Sequence, residues 1–411
     1  MEEYRTYTLD EISKGKGSYG IAASAVPFDS SLYTYLRITD INDDGSLNKL
    51  GLTSVDEDNA GNYLLKPNDI VFARTGNSTG RAYFYDGSDG ELVYAGFLIK
   101  FSLDESKVNP RIMKYYTHSK PYYDWVRSFD TGGTRGNINA KTYGNMPITL
   151  PSRSTQDRIV EILKSLDDKI EVNRRINDNL EQQAQALFKS WFVDFEPFKD
   201  GEFVESELGM IPKGWRVRTL GEIGDVIGGS TPSKTKPEYY TEKGIAWLTP
   251  KDLSVSNAKF TEKGEIDITQ EGYNSCSTKL MPKGSVLFSS RAPIGYITIA
   301  KNEICTNQGF KSVVPGYAGT AFIYCYLKAT TPDIENKATG STFKEASGSL
   351  MKSLQLVVAP KDIMDSFEER LKPIFDEQEC IEDESRRLAT LRDTLLPKLM
   401  SGELKVNEVE I

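Results

Sequence analysis

The chain has 411 residues, 38% of them hydrophobic, and a formal net charge of −9, which at roughly 150 residues a domain predicts two or three domains with cores of their own. Its only histidine is His118 and its four cysteines lack metal-ligand spacing; this argues against a Ser-His-Asp site or a multi-histidine metal site, so we expect a structural histidine and reduced thiols. The sequence has no apolar run long enough for a membrane span and no signal-peptide pattern, so we expect a cytoplasmic protein.

The first predicted element is a globule over residues 1–150, in which β-branched and aromatic runs alternate with Asp-Gly turns. Val71–Phe72, Ala82–Tyr85 and Leu92–Ile99 are among its predicted strands. Two polar, glycine-rich loops, 74–81 and 131–139, carry side chains that bind phosphates and base edges, although plain turns are the alternative interpretation. The candidate DNA-binding residues of this globule are Arg74, Thr75, Asn77, Ser78, Arg81, Thr134, Arg135 and Asn137.

The sequence predicts one long helix over residues 151–195. Apolar positions recur there at alternating steps of four and three for more than four heptads, which is the a/d seam of a coiled coil. Asn173 and Asn177 interrupt the apolar seam, and such polar groups cost stability but fix the register and the partner. The seam positions are Ile159, Leu163, Leu166, Ile170, Asn173, Asn177, Leu180, Ala184, Leu187 and Trp191.

A proline-, glycine- and acid-rich stretch, 196–212, predicts a surface linker, and a second globule follows over residues 213–361. This globule carries 19 basic and 13 acidic side chains, a net charge of +6. A local basic face favours phosphate binding even when the whole chain is acidic. Its candidate DNA-binding residues, again in polar loops, are Thr231, Ser233, Lys234, Arg291, Asn307, Gln308, Thr342 and Lys344.

Residues 362–404 predict a second long helix with the same four-three spacing, interrupted by Gln378 and Ser385. Two helices of similar length with polar residues in mid-seam are expected to pair with each other. The alternative is that each helix caps a separate globular domain. The apolar seam positions are Leu371, Ile374, Ile381, Leu388, Leu395 and Leu399.

The two halves of the chain resemble each other. Thr6–Ile12 matches Val217–Ile223, and Leu65–Phe72 matches Met281–Phe288. A repeat of this length predicts a pseudo-two-fold molecule made from one chain. The predicted fold class is therefore α/β (α+β), with two repeated mixed α/β domains and two long helices that pair in one intramolecular coiled coil.

Catalytic patterns are missing from the sequence. It contains no Walker loop, no G-x-G-x-x-G after a strand and no aromatic-flanked Asn-Pro-Pro. Asp167 and Asp168 form a carboxylate pair on the first long helix, which we interpret as a solvated helix face. We therefore expect neither catalytic residues nor a metal site.

Several motifs carry a family resemblance over essentially the whole chain. Met146-Pro147-Ile148-Thr149-Leu150-Pro151, the run from Gln156 through Leu166-Asp167, and Leu187-Phe188-Lys189-Ser190-Trp191-Phe192 lie in the first long helix or just before it. Gly209 to Trp215 and Leu395 to Leu404 are the remaining matches. In these stretches the chain resembles the DNA specificity subunit of type I restriction-modification systems.

The resemblance implies two target-recognition domains, residues 1–150 and 213–361, that each read one half of a bipartite, asymmetric site in double-stranded DNA. The central and distal helices would form a long antiparallel two-helix coiled coil that separates the two domains and sets the unread spacer. They would also dock two modification (methyltransferase) subunits. A restriction (translocase/nuclease) subunit would complete the complex. The subunit itself would be non-catalytic and hold no cofactor, because S-adenosylmethionine, ATP and Mg²⁺ are expected only on the partners.

Two other classes of protein compete with this interpretation. One is a coiled-coil scaffold that joins proteins and never touches DNA, and the other is a free-standing methyltransferase or nuclease. Binding to duplex that falls steeply with salt would separate the first from a DNA reader. The helix surface also leaves self-association of the isolated chain open.

Overall fold

The computed structural model describes residues 4–129, 136–255, 258–340 and 344–409. The chain forms two compact units, Met1–Ile170 with Arg387–Ile411 and Glu171–Arg386. Each unit contains one globule and a part of both long helices. Within the described ranges, no helix is long and apolar enough to cross a membrane.

Both predicted long helices are present, as the central helix (Arg153–Phe192) and the distal helix (Lys361–Ser401). In the second unit, Asn173 faces Glu384 across a 2.7 Å hydrogen bond, and the rings of Phe192 and Phe367 lie 4.8 Å apart. As residue numbers rise along the central helix, those of the contacting residues fall along the distal helix, so the two helices pair antiparallel. The predicted seam positions are all buried or half-buried.

The first globule is built mainly from short strands. They form the sheets β2-β9-β6-β7 and β3-β5-β4-β8 and the antiparallel pair β1-β10. Its short helices are Ile112–Tyr116, Lys120–Arg127 and Ala140–Gly144, with 3-10 turns at Ala60–Tyr63 and Gly76–Ser78. The strands are β1 (Arg5–Thr8), β2 (Ser18–Tyr19), β3 (Val26–Pro27), β4 (Tyr33–Leu36), β5 (Thr53–Val55), β6 (Asp69–Ala73), β7 (Ala82–Tyr85), β8 (Leu92–Tyr94), β9 (Leu98–Ser102) and β10 (Pro147–Leu150).

One predicted strand of this globule was wrong in extent. The run Leu92–Ile99 is divided between β8 and β9. The break is a tight turn in which the Leu98 N–H donates to the Ala95 carbonyl at 2.8 Å, and the Gly96 N–H donates to Ile21 at 2.8 Å. The side chain pattern is apolar throughout, so nothing but Gly96 signals the turn.

The second globule has a larger central sheet, β14-β22-β19-β20-β17. Its helices are Leu220–Ile223, Pro250–Val255, Gln270–Asn274, Thr320–Lys337 and Gly348–Ser353. The strands of the second unit are β11 (Phe203–Ser206), β12 (Gly209–Pro212), β13 (Arg216–Thr219), β14 (Gly224–Gly228), β15 (Tyr240–Thr241), β16 (Trp247–Leu248), β17 (Phe260–Thr261), β18 (Asp267–Ile268), β19 (Val286–Ser290), β20 (Ile294–Ala300), β21 (Cys305–Thr306), β22 (Lys311–Pro315) and β23 (Gln355–Val358).

The internal repeat extends to strand order. The order β2-β9-β6-β7 in the first globule has its counterpart in β14-β22-β19-β20 of the second. In each globule the first strand pairs antiparallel with the last, β1 with β10 and β13 with β23. Even the turn after that first strand repeats, because the N–H of Thr8 donates to Glu11 at 2.6 Å and the N–H of Thr219 donates to Glu222 at 2.6 Å.

The predicted linker has structure of its own. β11 and β12 form an antiparallel hairpin inside the stretch 196–212. Phe195, Phe198 and Trp215, at the ends of this stretch, pack against the core of the second unit, with the rings of Phe198 and Trp215 4.9 Å apart. Because the stretch itself is mostly polar, the sequence did not predict that the aromatic residues at its ends pack against the core.

Candidate nucleic-acid interface

In the first globule, a backbone frame holds the predicted loop 74–81. The Arg74 N–H, just after β6, donates to the Phe97 carbonyl at 3.1 Å. The Arg74 carbonyl accepts from the Ile138 N–H at 3.0 Å. Asn139 then caps the helix Ala140–Gly144 by accepting from the Thr142 N–H at 2.9 Å. The loop after β6 is therefore tied on both sides to segments distant in sequence.

The second globule repeats this frame bond for bond. The Ser290 N–H, at the end of β19, donates to the Gly309 carbonyl at 2.7 Å. The Ser290 carbonyl accepts from the Ala346 N–H at 2.9 Å, and Ser347 caps the helix Gly348–Ser353. Positions 74, 97 and 138 thus correspond to positions 290, 309 and 346.

A glycine in each globule allows the frame to close. A Cβ added at Gly20 would lie 2.1 Å from the Tyr94 carbonyl oxygen, and one at Gly229 would lie 2.1 Å from the Asn307 carbonyl oxygen. No side chain fits at such distances, so the close approach of the two backbones requires glycine. The two glycines follow β2 and β14, which makes Tyr19 the counterpart of Gly228.

On this frame the first globule presents an aromatic surface. The Arg74 guanidinium lies 5.0 Å from the centre of the Tyr19 ring, and the Tyr19 hydroxyl accepts from the Ala140 N–H at 3.1 Å. Tyr19 is 42% exposed and Phe97 is 58% exposed. Arg74 is therefore held by a ring that is itself fixed by a hydrogen bond.

The remaining predicted residues of the first globule differ in accessibility. Asn77 and Asn137 are exposed, and Asn137 forms a β-bridge with half-buried Thr75. Ser78 is buried, which gives it a supporting position in the loop. The Arg81 guanidinium lies 2.7 Å from Asp43 and donates to the Ile41 carbonyl at 3.1 Å. Thr134 and Arg135 lie outside the described residues.

The second globule presents a cleft where the first presents aromatic rings. The cleft has a volume of about 590 Å³, and the predicted residues in it come from three separate segments. Ser233 is exposed in the same loop as Lys234, and Lys344 is exposed and donates to the Glu335 carbonyl at 3.4 Å. Thr342 lies outside the described residues. The predicted residues that line the cleft are Thr231, Lys234, Arg291, Asn307 and Gln308.

Charges and hydrogen bonds orient the cleft side chains. Arg291 and Lys311 share the Glu345 carboxylate, at 3.6 Å and 3.1 Å, so one negative charge faces two positive ones. The Asn307 carboxamide oxygen accepts from the Gly309 N–H at 2.8 Å, and the Thr231 hydroxyl donates to Gln308. This set combines a guanidinium, two amides and a lysine, which are the groups that contact guanine, adenine and phosphate in DNA.

Ion pairs fasten each globule to the helices of its own unit. In the first unit, Asp167 on the central helix lies 2.7 Å from Lys114 and 2.9 Å from Arg392 on the distal helix. Burial favours a higher pKa for Asp167, but the two cations outweigh it and hold the pKa below its usual value. The sequence-based interpretation of Asp167 as part of a solvated face was therefore wrong, whereas Asp168 is exposed and pairs with Lys164.

In the second unit one of the residues that join the globule to the helices is Lys259, which is 6% exposed. Its ammonium lies 2.9 Å from Glu181 on the central helix and donates to Gln378 on the distal helix at 2.7 Å. It also lies 3.4 Å from the centre of the Phe375 ring. Burial lowers the pKa of Lys259 despite the attraction of Glu181, because the ammonium loses more hydration than one carboxylate restores.

Sequence reasoning missed Tyr19, Phe97 and Lys259. The sequence contains one signal for Tyr19 and Phe97. At the corresponding positions of the repeat, the second globule has the small residues Gly228 and Gly309 where the first has large aromatic ones. Lys259 stands in a polar stretch and carries no sequence signal. Among the described residues, no group of three or more His, Cys, Asp or Glu side chains could hold a metal ion, and Cys276, Cys305, Cys325 and Cys380 are free thiols.

Comparison with known proteins gives the class of these two domains. The family described as Type I restriction modification DNA specificity domain matches residues 1–182 and 212–383, so both globules are DNA specificity domains. The chain belongs to the family of specificity subunits of type I restriction-modification systems.

Individual relatives agree with this assignment. The chain is 26% identical over 407 residues to the HindI specificity subunit of Haemophilus influenzae, covering 83% of this chain and 87% of that protein. It is 42% identical over 158 residues to the MjaIX specificity subunit of Methanocaldococcus jannaschii, covering 38% of this chain and 36% of that protein. A crystal structure of the type I system S subunit from M. genitalium shares the fold, with a TM-score of 0.58 at 16% identity over 97% of this chain and 96% of the other.

Proposed function

We propose that the chain reads a bipartite, asymmetric DNA site with one half-site for each globule, and that it catalyses no reaction itself. The observation that carries the proposal is the shared backbone frame with different side chains on it. A common frame gives both globules the same way of approaching a duplex. Different side chains, an aromatic surface against a polar cleft, give the two half-sites different sequences.

In the second globule, some cleft residues would contact bases and others would contact phosphates. Arg291 can donate to O6 and N7 of a guanine, and the amides of Asn307 and Gln308 can pair with the N6 and N7 edge of an adenine. Lys234 is a phosphate contact, because a flexible ammonium gives affinity without fixing a base. In the first globule, Arg74 is the guanine reader, with Asn77 and Asn137 beside it.

The helices would dock two modification subunits, and a restriction subunit would join the same complex. On the central helix, Val172 and Ile176 are 47% and 39% exposed and stand one turn apart, which gives a partner an apolar contact on an otherwise charged helix. S-adenosylmethionine, ATP and Mg²⁺ belong to these partners in the proposal. The assembled complex would act on DNA in the cytoplasm.

The experiment that tests the proposal is co-purification with a modification subunit, followed by sequencing of methylated adenines in a random DNA library. A gapped two-part motif is the expected result. Arg74→Ala and Arg291→Ala complexes should bind the site more weakly by about 1–3 kcal/mol each. The matched control is Lys213→Ala, because Lys213 is an exposed lysine paired with Glu202 on the β11–β12 hairpin.

A stable complex that methylates or binds without sequence preference would contradict DNA reading and favour the scaffold. Turnover by the pure chain with methyl donor or Mg²⁺ would contradict the non-catalytic role. Equal binding by the parent and both arginine variants would remove these loops from the interface.

A further inference from the structure

The ends of three neighbouring strands place an exposed phenylalanine beside an arginine in the first globule. Tyr19 ends β2, Phe97 precedes β9 and Arg74 follows β6, and the sheet order β2-β9-β6 makes these strands neighbours. The backbones of Arg74 and Phe97 are joined directly by a 3.1 Å hydrogen bond. Arg74 and the exposed Phe97 are therefore direct neighbours at the same edge of the sheet.

Backbone hydrogen bonds fix the turn that carries Phe97. The turn that carries it is closed by Leu98 donating to Ala95 and is tied to the next segment by Gly96 donating to Ile21, both at 2.8 Å. The ring nevertheless remains 58% exposed, which leaves a large apolar side chain in water. Because the turn is already held by hydrogen bonds, its backbone does not have to be ordered before the exposed ring contacts a ligand.

The frame itself does not need this ring. The corresponding position in the second globule is Gly309, where the same backbone bond to Ser290 forms without a side chain. Phe97 is thus an addition of the first globule to a frame that closes equally well with glycine. Phe97 therefore affects which DNA sequence the first globule reads. It also makes the surface of the first globule different from the cleft of the second.

The chemistry of the major groove identifies the group that an exposed apolar ring can meet there. Among the base-edge groups it displays, the 5-methyl of thymine is the apolar one, and phenylalanine is one of the side chains that contact it. Arg74, held against the Tyr19 ring, is suited to a guanine. We propose that Phe97 packs against the 5-methyl group of a thymine next to the guanine that Arg74 contacts.

This inference rests on the proposed DNA-reading function, and it makes Phe97 a specificity-determining residue of the first half-site. Replacing thymine by uracil removes only the methyl group and keeps every base-pairing atom. One buried methyl of this size is worth about fourfold in affinity. The experiment therefore substitutes uracil for each thymine of the target duplex in turn and measures binding by the complex of this chain with its modification subunits.

The expected result is one thymine position at which uracil weakens the parent complex about fourfold. The Phe97→Ala complex should bind the thymine duplex more weakly and should no longer distinguish thymine from uracil at that position. The matched control is Phe28→Ala, because Phe28 is 57% exposed and follows β3 in the other sheet of the same globule. That variant should keep the full uracil response.

Two outcomes would overturn the inference while leaving the proposed function intact. The first is a parent complex that selects its site but responds to uracil at no position. The second is a Phe97→Ala complex that still responds to uracil as the parent does; weaker binding by that complex would then indicate a wedge between base pairs instead of a methyl contact. A parent complex without any site preference would overturn both.

Discussion

The buried ion pair between Lys259 and Glu181 gives a sharp prediction about stability. Replacing Glu181 with alanine leaves a lysine that is 6% exposed without its carboxylate. Losing one partner of a buried pair costs about 3–5 kcal/mol. Gln378 and the Phe375 ring remain in contact with the ammonium at 2.7 Å and 3.4 Å, so we expect about 3 kcal/mol, at the lower end of that range.

The reciprocal change should behave differently. Lys259→Met removes the charge but keeps an unbranched chain that can lie between the Tyr324 and Phe375 rings, which are 4.3 Å and 3.4 Å from the ammonium. Glu181 then still has the partly exposed Lys328 at 3.2 Å. Because Lys328 still pairs with Glu181, Lys259→Met leaves no carboxylate without a cation and should cost within about 1 kcal/mol. The double variant replaces the whole buried pair with apolar groups and should cost about as little.

Urea unfolding followed by circular dichroism measures these free energies. Glu171→Ala is the matched control, because Glu171 lies on the same helix, pairs with Arg174 and Arg175 at 2.8 Å and is 42% exposed. A surface pair of this kind contributes under about 1 kcal/mol. A cost of Glu181→Ala no larger than that of Glu171→Ala would contradict a stabilising buried pair, and so would a cost of Lys259→Met as large as that of Glu181→Ala.

The same site has a defined pH dependence. Burial favours a higher pKa for Glu181, but the attraction of Lys259 and Lys328 lowers the pKa from an ordinary 4.5 to about 2. A lowered carboxyl pKa means that the stabilisation is complete above the unfolded pKa and is lost as the pH falls from about 4.5 towards 2. The stability difference between the parent and Glu181→Gln should therefore shrink between about pH 5 and pH 3; a constant difference would contradict the assignment.

Three further predictions concern the frame, the coil and the electrostatics. Gly20→Ala would place a Cβ 2.1 Å from the Tyr94 carbonyl oxygen and should destabilise the first globule by about 1–3 kcal/mol or more. Gly15→Ala, with no atom within 4 Å of its added Cβ, should be neutral. Leu166→Asp and Leu388→Asp place a charge at half-buried seam positions and should abolish co-purification with modification subunits. The exposed control Glu161→Gln should not abolish it. Intact assembly in both aspartate variants would refute a role of the seam in docking these subunits. The logarithm of the DNA affinity should fall linearly with the logarithm of the salt concentration, and a flat response would favour the scaffold.

The long helices could be predicted because their signal is local. A four-three spacing over several heptads needs no knowledge of the fold, and the helix ends, at Arg153 and Phe192 and at Lys361 and Ser401, lie within a few residues of the predicted bounds. The partners of the polar mid-seam groups were partly predictable. As expected, these groups meet one another, because Asn173 donates to Ser385 at 3.2 Å and Gln378 donates to the Asn177 carbonyl at 3.3 Å. Asn173 also donates to Glu384, which lies beside the seam and carries no sequence mark of that contact.

The recognition surface was only partly predictable. The repeat located the loops after β6 and β19, because both copies keep a polar stretch there. It did not reveal Phe97, since the apolar run across β8 and β9 was interpreted as one strand, and a residue inside a strand is not expected to form an exposed turn. The convergence of Thr231, Arg291 and Gln308 on one cleft depends on the order of strands that are far apart in sequence, which residue types alone do not specify.

The two globules are expected to read separate halves of one DNA site. The most direct test is to sequence the methylated adenines produced by Arg74→Ala and Arg291→Ala complexes beside those of the parent. We expect one variant to relax a base in one half of the gapped motif only, and the other variant to relax a base in the other half only. Relaxation of the same half by both variants, or of neither, would contradict this expectation.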